Sequence, residues 1–205
     1  MSDIKLTYFD FHGGRGESVR MALTIGGIAF EDIRISFQQF GELRKSFPLN
    51  AVPTMKIGGV VHTQSNAMTR YAGKLTGLYP DDLWQAFLCD EVLGIIEDTL
   101  NAMTKTFGLE GDEMKAAREK LVEGPYTRVL QLLDTRLQAA GGEHFADGRL
   151  TVADLKVFVL LRSLHAGILD HVPTDLTSQV APKLVEFMNQ VAAEPRVASY
   201  IAKLP

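Results

Sequence analysis

AVPTMKIGGVVHTQSNAMTRYAGKLTG, residues 51–77, holds two short strand patterns and one helical pattern in direct succession. Val52-Pro53 opens it, and proline in a sheet is expected only at the start of a strand or on an edge. Thr54–Ile57 and Val60–His62 are predicted strands, because the glycine pair between them favours a tight hairpin turn. From Ser65 the apolar residues recur with a helical period. The stretch therefore predicts a β-hairpin that leads into a helix.

The sequence before this stretch alternates between strand and helix patterns. Strands are predicted over residues 4–9 and 30–35, a helix over about 17–25 and a short helix over 41–47. A glycine-rich loop joins the first strand to the first helix. The predicted order is β-α-β-α-β-β-α, which describes a small mixed α/β domain.

After residue 80 every periodic segment is helical. The turn residues of Thr76–Pro80 mark the change, so we predict an α/β domain at residues 1–79 and an all-α domain at residues 80–205. Helices of the second domain are predicted over residues 82–106, 112–139, 152–168, 178–193 and 195–202.

The composition is that of a globular protein, with 46 % apolar and 22 % charged residues in a chain of 205. A net charge of −4 argues against nucleic acid as a partner. Cys89 is the single cysteine, so no intrachain disulfide is expected. With no recognisable signal segment or membrane-length apolar run, we expect a cytosolic protein. The five histidines lack metal-ligand spacing, and no metal is expected.

The glycine-rich loop raises the possibility of a phosphate site. Gly14 and Gly16 fit the first two positions of the dinucleotide-binding pattern Gly-x-Gly-x-x-Gly, but Val19 stands at the third. The Lys-Ser or Lys-Thr that closes a Walker loop is also missing. The spacing therefore excludes both phosphate loops. In isolation, the glycines would serve only to turn the chain, with Arg15 in solvent.

Three other features favour a small acidic peptide as ligand. A cis bond before Pro53 would leave the backbone N–H and C=O of Val52 free to pair with a peptide. Ser65, after Gln64, is a candidate N-cap, and a helix start offers N–H donors and partial positive charge to a carboxylate. Tyr8 lies beside the glycine loop. Together they predict one peptide-pairing edge, one carboxylate site and one phenol.

Four segments in order resemble cytosolic glutathione transferases, with most similarity to the sigma class. They are YFDFHGGRGESVR, AVPTMKIGGVVHTQSNAMTRYAGKLTG, GRLTVADLKVF and EPRVASYIAKLP, and the first has one glycine more than the family pattern. The resemblance implies a thioredoxin-like domain followed by a helical domain. It also implies glutathione as co-substrate, hydrophobic electrophiles as second substrates, a detoxifying role and a homodimer.

The resemblance implies that Tyr8 is catalytic. Family members attack an electrophile with the glutathione thiolate, while a free thiol has a pKa near about 8.5. A hydroxyl that donates to the sulfur would stabilise the anion by roughly 1.5–3 kcal/mol. Alternatively, Tyr8 packs only as a strand aromatic. Arg15 matches an arginine near the family's active-site loop, and its implied role is either catalytic, as electrostatic support of the thiolate, or purely structural.

The implied glutathione site has contributions from both domains. Gln64 and Ser65 would hold the γ-glutamyl end, with the Ser65 hydroxyl and N–H on its carboxylate, and the Val52 backbone would pair with the cysteinyl unit. Simple helix capping is the alternative for Ser65. The full set of implied glutathione contacts is Tyr8, Phe40, Arg44, Val52, Pro53, Gln64, Ser65 and Asp98.

Three of these positions depart from the family pattern or depend on a second subunit. The family's Trp-x-x-x-Lys appears as Phe40-x-x-x-Arg44, so Arg44 is the expected partner of the glycine carboxylate, with Lys45 as a substitute. Phe40 lacks the indole donor. Asp98 matches the acid that a family subunit lends to its neighbour's glutathione amine, and the alternative for it is a solvated helix carboxylate.

The electrophile pocket is predicted from Phe9, Gly14, Met103 and Phe107, although Met and Phe at helical spacing are more often core residues. Thr151–Asp154 is interpreted as a helix-start capping box with a folding role. Leu49 replaces the aromatic that locks subunits in some classes, so a flatter, more polar dimer interface is expected.

Two alternatives to detoxification stay open at this point. One is a glutathione-dependent isomerase such as a prostaglandin D synthase, which would keep the same site and differ in pocket shape. The other is a non-catalytic structural or partner-binding protein on the same fold. The joint presence of Tyr8, Gln64 and Ser65 argues against the second.

Overall fold

The computed structural model describes residues 3–204 and contains a four-stranded mixed sheet followed by a helical domain, as predicted. The sheet order is β2-β1-β3-β4, with β1 parallel to β2 and antiparallel to β3, and β3 antiparallel to β4. The strands are β1 Lys5–Phe9, β2 Glu31–Ile35, β3 Thr54–Ile57 and β4 Val60–His62.

Ten helices surround or follow the sheet in the described part of the chain. A π-helical turn, Val122–Tyr126, separates the fifth from the sixth, and two 3₁₀ turns, Arg44–Ser46 and Pro48–Asn50, precede β3. The helices are α1 Gly14–Ile25, α2 Phe37–Leu43, α3 Ser65–Thr76, α4 Leu83–Thr104, α5 Gly111–Leu121, α6 Thr127–Ala139, α7 Val152–His165, α8 Leu176–Val180, α9 Pro182–Ala193 and α10 Pro195–Ile201.

The predicted helix 112–139 is wrong as a single element. Pro125 has no N–H to continue the helical ladder, and the chain widens into the π-helical turn at that point. The predicted helix 178–193 is also divided, because Ala181 takes an extended φ of −153° before Pro182.

The short helix of the first domain lies four residues earlier than predicted. Ser36 and Gln39 form a reciprocal capping box that starts α2 at Phe37 rather than near residue 41. Capping chemistry therefore sets this helix start more strongly than its weak apolar period.

The alternation of side chains along β1 presents a catalytic candidate to the first helix. The even-numbered side chains of β1 point to one buried face, with Leu6 fully buried and Tyr8 4 % exposed. α1 covers that face. Strand alternation thus places the Tyr8 ring between the sheet and the glycine loop at the start of α1.

The two domains share one continuous core. α1 packs on α7, and the Val152 N–H donates to the Leu78 carbonyl at 2.8 Å. The predicted capping box at the start of α7 is present, because Asp154 accepts from both the N–H and the hydroxyl of Thr151 at 2.6 and 2.9 Å. Cys89 is fully buried in α4, and burial raises the pKa of its thiol to about 12.

Among residues 3–204, no helix combines the length and the apolar character needed to cross a membrane.

Candidate active site

The glycine loop lets Tyr8 approach the start of α1. The Tyr8 hydroxyl accepts a hydrogen bond of 3.0 Å from the backbone N–H of Arg15. A Cβ on Gly14, which has a φ of +64°, would overlap the Tyr8 hydroxyl, and a Cβ on Gly16 would overlap the ring. The glycines therefore make room for a phenol rather than for a phosphate.

The environment of Tyr8 keeps the phenol protonated. Burial raises its pKa, and this effect outweighs the opposing hydrogen bond from the Arg15 N–H and the charge of Arg15. Because the hydroxyl oxygen accepts from Arg15, its own proton is left to donate to another group. Tyr8 is thus arranged as a neutral hydrogen-bond donor.

A cleft of about 240 Å³ lies between the start of β3, the start of α3 and the C-terminal half of α4. We call it the interdomain cleft. It brings together Arg15, Val52, Pro53, Gln64 and Ser65, five of the residues predicted from sequence. The Val52–Pro53 bond is cis. The complete lining is Arg15, Pro48, Leu49, Ala51, Val52, Pro53, Thr63, Gln64, Ser65, Glu97 and Asn101.

The start of α3 forms one end of the interdomain cleft. Gln64 has a φ of +76° and flanks the helix, so Ser65 is its first residue and not the N-cap predicted above. The first helical N–H groups have no intrahelical acceptor and remain available to a ligand. The Ser65 hydroxyl is already used, since it donates to Glu97 at 2.8 Å.

Glu97 is the functional candidate that the sequence interpretation missed. One carboxylate oxygen accepts from Arg15 Nε at 2.5 Å, and the other lies near the Ser65 hydroxyl and, at 3.2 Å, the Lys156 ammonium. Burial raises the pKa of Glu97, but hydrogen bonding and the positive charges of Arg15 and Lys156 outweigh this effect, so the net shift is downward. Glu97 therefore stays ionised in the cleft wall.

Helical phase separates Glu97 from the residue that the resemblance singled out. On α4, Ile96 and Leu100 face the hydrophobic core of the protein, Glu97 faces the cleft, and Asp98 is exposed. The two adjacent acids in the sequence indicated that a carboxylate of α4 could contribute to the site, but the sequence alone does not say which of them faces the cleft. The predicted contact between Asp98 and a neighbouring subunit's ligand stays a prediction.

Phe40, Arg44 and Lys45 lie outside the lining of the interdomain cleft. Arg44 Nε donates to the Asn50 carbonyl at 3.2 Å, and its guanidinium lies 5.9 Å from the centre of the Phe40 ring. Arg44 thus supports the 3₁₀ turns next to the cleft. The roles predicted for these residues toward glutathione stay predictions.

Five phenylalanines form an aromatic cluster at the end of β1, on α2 and between the two 3₁₀ turns. Phe9 is at its centre, with ring centroids 4.5 Å from Phe37 and 5.1 Å from Phe40, and 5.3 Å from Tyr8. Phe37 is 69 % exposed, so the cluster reaches the surface. Its members are Phe9, Phe11, Phe37, Phe40 and Phe47.

The two remaining pocket candidates follow Glu97 and Asn101 along the chain. Met103 is half-buried in the last turn of α4, and Phe107 is 54 % exposed beyond it. Within residues 3–204, no group of three or more His, Cys, Asp or Glu side chains is arranged to hold a metal ion.

Comparisons with known proteins cover almost the whole chain. The glutathione S-transferase N-terminal domain model matches residues 4–74, and the C-terminal domain model matches residues 97–204. A class-mu 28 kDa glutathione S-transferase isozyme of Schistosoma bovis is 29 % identical, over 97 % of this chain and 94 % of its own.

Two solved structures superpose closely. The prostaglandin synthase D of Nilaparvata lugens has a TM-score of 0.86 at 25 % identity, covering 99 % of this chain and 98 % of that one. The sigma-class enzyme of Fasciola hepatica has a TM-score of 0.83 at 27 % identity, covering 98 % and 96 %. These similar proteins come from more than one class, so they support the family rather than the sigma class. The chain belongs to the glutathione S-transferase family of enzymes.

Proposed function

We propose that the interdomain cleft binds glutathione and that Tyr8 donates a hydrogen bond to its sulfur. The observation that carries this proposal is the 3.0 Å contact in which the Arg15 N–H donates to the buried Tyr8 hydroxyl. That contact orients the hydroxyl and leaves its proton for a ligand. A donor to the sulfur stabilises the thiolate, which is the nucleophilic form. The thiolate then attacks a hydrophobic electrophile.

The γ-glutamyl end of glutathione binds at the start of α3 in this proposal. The free N–H groups and partial positive charge of the helix start suit its carboxylate. Since the Ser65 hydroxyl donates to Glu97, it can bind that carboxylate only by rotating, and the backbone N–H is the primary donor. Gln64 borders the same end of the cleft.

The other contacts follow the order of the peptide. Val52 pairs its backbone with the cysteinyl unit, beside Pro53. Arg44 or Lys45 pairs with the glycine carboxylate, with Phe40 as apolar support. Asp98 reaches the amine of glutathione in a partner subunit, and its exposed position on α4 is compatible with that role.

The second substrate binds against the aromatic cluster. Phe9 touches both the Tyr8 ring and the exposed Phe37, so an apolar electrophile there would lie close to the sulfur. Gly14 leaves space beside the Tyr8 hydroxyl. Met103 and Phe107 complete the pocket from the α4 side.

Homodimerisation and a cytosolic location complete the proposal. Trp84 and Phe87 stack on the exposed face of α4 with ring centroids 5.2 Å apart and are 61 % and 56 % exposed. Large exposed aromatic pairs of this kind suit burial in a subunit interface. They favour a more apolar interface than the replacement at Leu49 suggests.

A glutathione-dependent isomerase is the second candidate, favoured by the similarity to the prostaglandin synthase D of Nilaparvata lugens. A panel of electrophiles, hydroperoxides and isomerisable substrates, assayed with and without glutathione, separates the two activities. Glutathione-dependent conjugation is the expected result. Isomerisation without conjugation would select the second candidate, and no glutathione-dependent turnover would contradict both.

A further inference from the structure

Lys156 is a buried cation behind the interdomain cleft. Its side chain is 2 % exposed, and its ammonium donates to Glu97 at 3.2 Å and to the side-chain oxygen of Asn66. A buried ammonium is destabilising unless it is paired and hydrogen-bonded. Glu97 lines the interdomain cleft, and Asn66 follows Ser65 in the first turn of α3, so the ammonium is coupled to that end of the cleft.

The position of Lys156 on α7 is unusual for a charged residue. Every residue of the segment 152–161 is buried, and Lys156 is the single cation among them. A methionine would fill a similar volume without the desolvation of a charge. Packing alone therefore gives no reason for a lysine here.

Charge counting shows what Lys156 adds. Arg15 and Lys156 carry two positive charges and contact the single negative charge of Glu97, which leaves one net positive charge. Without Lys156, Arg15 and Glu97 would cancel. A ligand carboxylate at the start of α3 would then meet a neutral cluster that includes the Glu97 carboxylate in the cleft wall.

We propose that Lys156 is a positioning residue that makes the γ-glutamyl end of the cleft net positive and thereby selects a ligand with a carboxylate at that end. Lys156 does not line the cleft and acts through Glu97 and Asn66. Naming the ligand as glutathione rests on the proposed function. The charge arrangement itself rests on the contacts among Arg15, Glu97 and Lys156.

The test measures binding of three thiol-blocked ligands by calorimetry, so it does not depend on turnover. The first is S-methylglutathione. The second has a glutaryl group in place of γ-glutamyl, which keeps the carboxylate and removes the ammonium. The third has a 4-aminobutyryl group there, which keeps the ammonium and removes the carboxylate.

For Lys156→Met we expect the Kd of the glutaryl ligand to rise about fivefold to tenfold, as for one charge in a partly screened site. The Kd of S-methylglutathione should rise less, because its ammonium is repelled by the same charge that attracts its carboxylate. The Kd of the third should not rise, because it has no carboxylate and its ammonium is repelled, not attracted, by the charge of Lys156. An equal loss for all three ligands, or no loss for any, would overturn the role of Lys156. If the unmodified protein binds none of them, the glutathione site itself fails.

A second comparison does not require Lys156→Met to fold on its own. Glu97→Gln raises the net charge of the cluster by one, and Glu97→Gln/Lys156→Met returns it to the original value. The glutaryl ligand cannot contact Glu97 through an ammonium, so it reports the charge alone. We expect it to bind Glu97→Gln more tightly than the unmodified protein and the double variant within about twofold of it. Equal binding to Glu97→Gln and the double variant would overturn the proposal.

Discussion

The backbone nitrogen of Arg15 lies 3.0 Å from the hydroxyl oxygen of Tyr8 and donates a hydrogen bond to it, while the side chain of Arg15 binds Glu97. One residue therefore orients the phenol and anchors the start of α1 to α4. The phenol proton remains available to a ligand because the oxygen is the acceptor in this pair.

Tyr8→Phe should lower kcat/KM for conjugation of a model electrophile at about pH 6.5 by tenfold or more, which corresponds to about 1.4 kcal/mol for one lost hydrogen bond to a charged group. Tyr126→Phe is the matched control, since it removes another buried hydroxyl, one without a hydrogen-bond partner in the structure. Unchanged kcat/KM in Tyr8→Phe would remove Tyr8 from the mechanism.

Gly16→Ala should displace the Tyr8 ring, because the added Cβ would overlap it. We expect a loss of activity together with a fall of about 1–3 kcal/mol in the free energy of unfolding. Gly94→Ala on α4 is the control, since its Cβ would meet nothing within 4 Å and alanine favours helix. Equal effects of the two substitutions on kcat would contradict the close fit at Tyr8.

Glu97→Gln should change how stability depends on pH. The pKa of Glu97 is lowered in the folded protein, so its stabilising contribution is present above the ordinary glutamate pKa of about 4.3. That contribution is lost as the pH falls through the lower, folded-state pKa. Urea unfolding should therefore show Glu97→Gln less stable near neutrality, with the difference shrinking below about pH 4.

The control for this pH dependence is Glu113→Gln, at an exposed position on α5. The free energy of unfolding of this variant should differ little from that of the unmodified protein throughout the same pH range. If the free energy of unfolding of Glu97→Gln differs from that of the unmodified protein by the same amount at every pH, the charge of the carboxylate does not contribute to folding.

Asp154→Ala should destabilise the fold by about 3 kcal/mol without raising the KM for glutathione. Asp154 is fully buried and accepts from Thr151 and from the Phe145 N–H at 2.9 Å, and these donors would lose their acceptor. Asp175→Ala is the control, because Asp175 flanks α8 without a capping hydrogen bond. A selective rise in KM would instead place Asp154 in the glutathione site.

Asp98→Asn should raise the KM for glutathione without changing the oligomeric state measured by sedimentation. In the proposed contact, the substitution removes the charge that faces the ligand's amine and changes little volume. Asp112→Asn on α5 serves as the control for an exposed helix carboxylate. If Asp98→Asn and Asp112→Asn have the same KM for glutathione, Asp98 is a solvated helix carboxylate without a role in binding.

Local sequence patterns were sufficient wherever the signal lay within a few residues. The strands Thr54–Ile57 and Val60–His62 have the predicted bounds, and the Thr151–Asp154 capping box forms as expected. Strand alternation, hairpin turns and caps are short-range effects, so neighbouring residues carry them. The same approach failed at Pro125, where an apolar helical period continues across a residue that cannot donate to the helix.

Long-range packing brings the hydrogen-bonding and charged partners of Glu97 together. Its partners Lys156 and Arg15 lie 59 and 82 positions away, so no local pattern in the sequence indicates that they meet. The choice between Glu97 and Asp98 depended on the rotation of α4 against its neighbours. The role of the glycine loop likewise depended on packing, because only the folded chain places the Tyr8 ring against Gly14 and Gly16. Polar groups obtain their partners only when separate elements pack together, and packing therefore decided which of the candidate residues share the cleft.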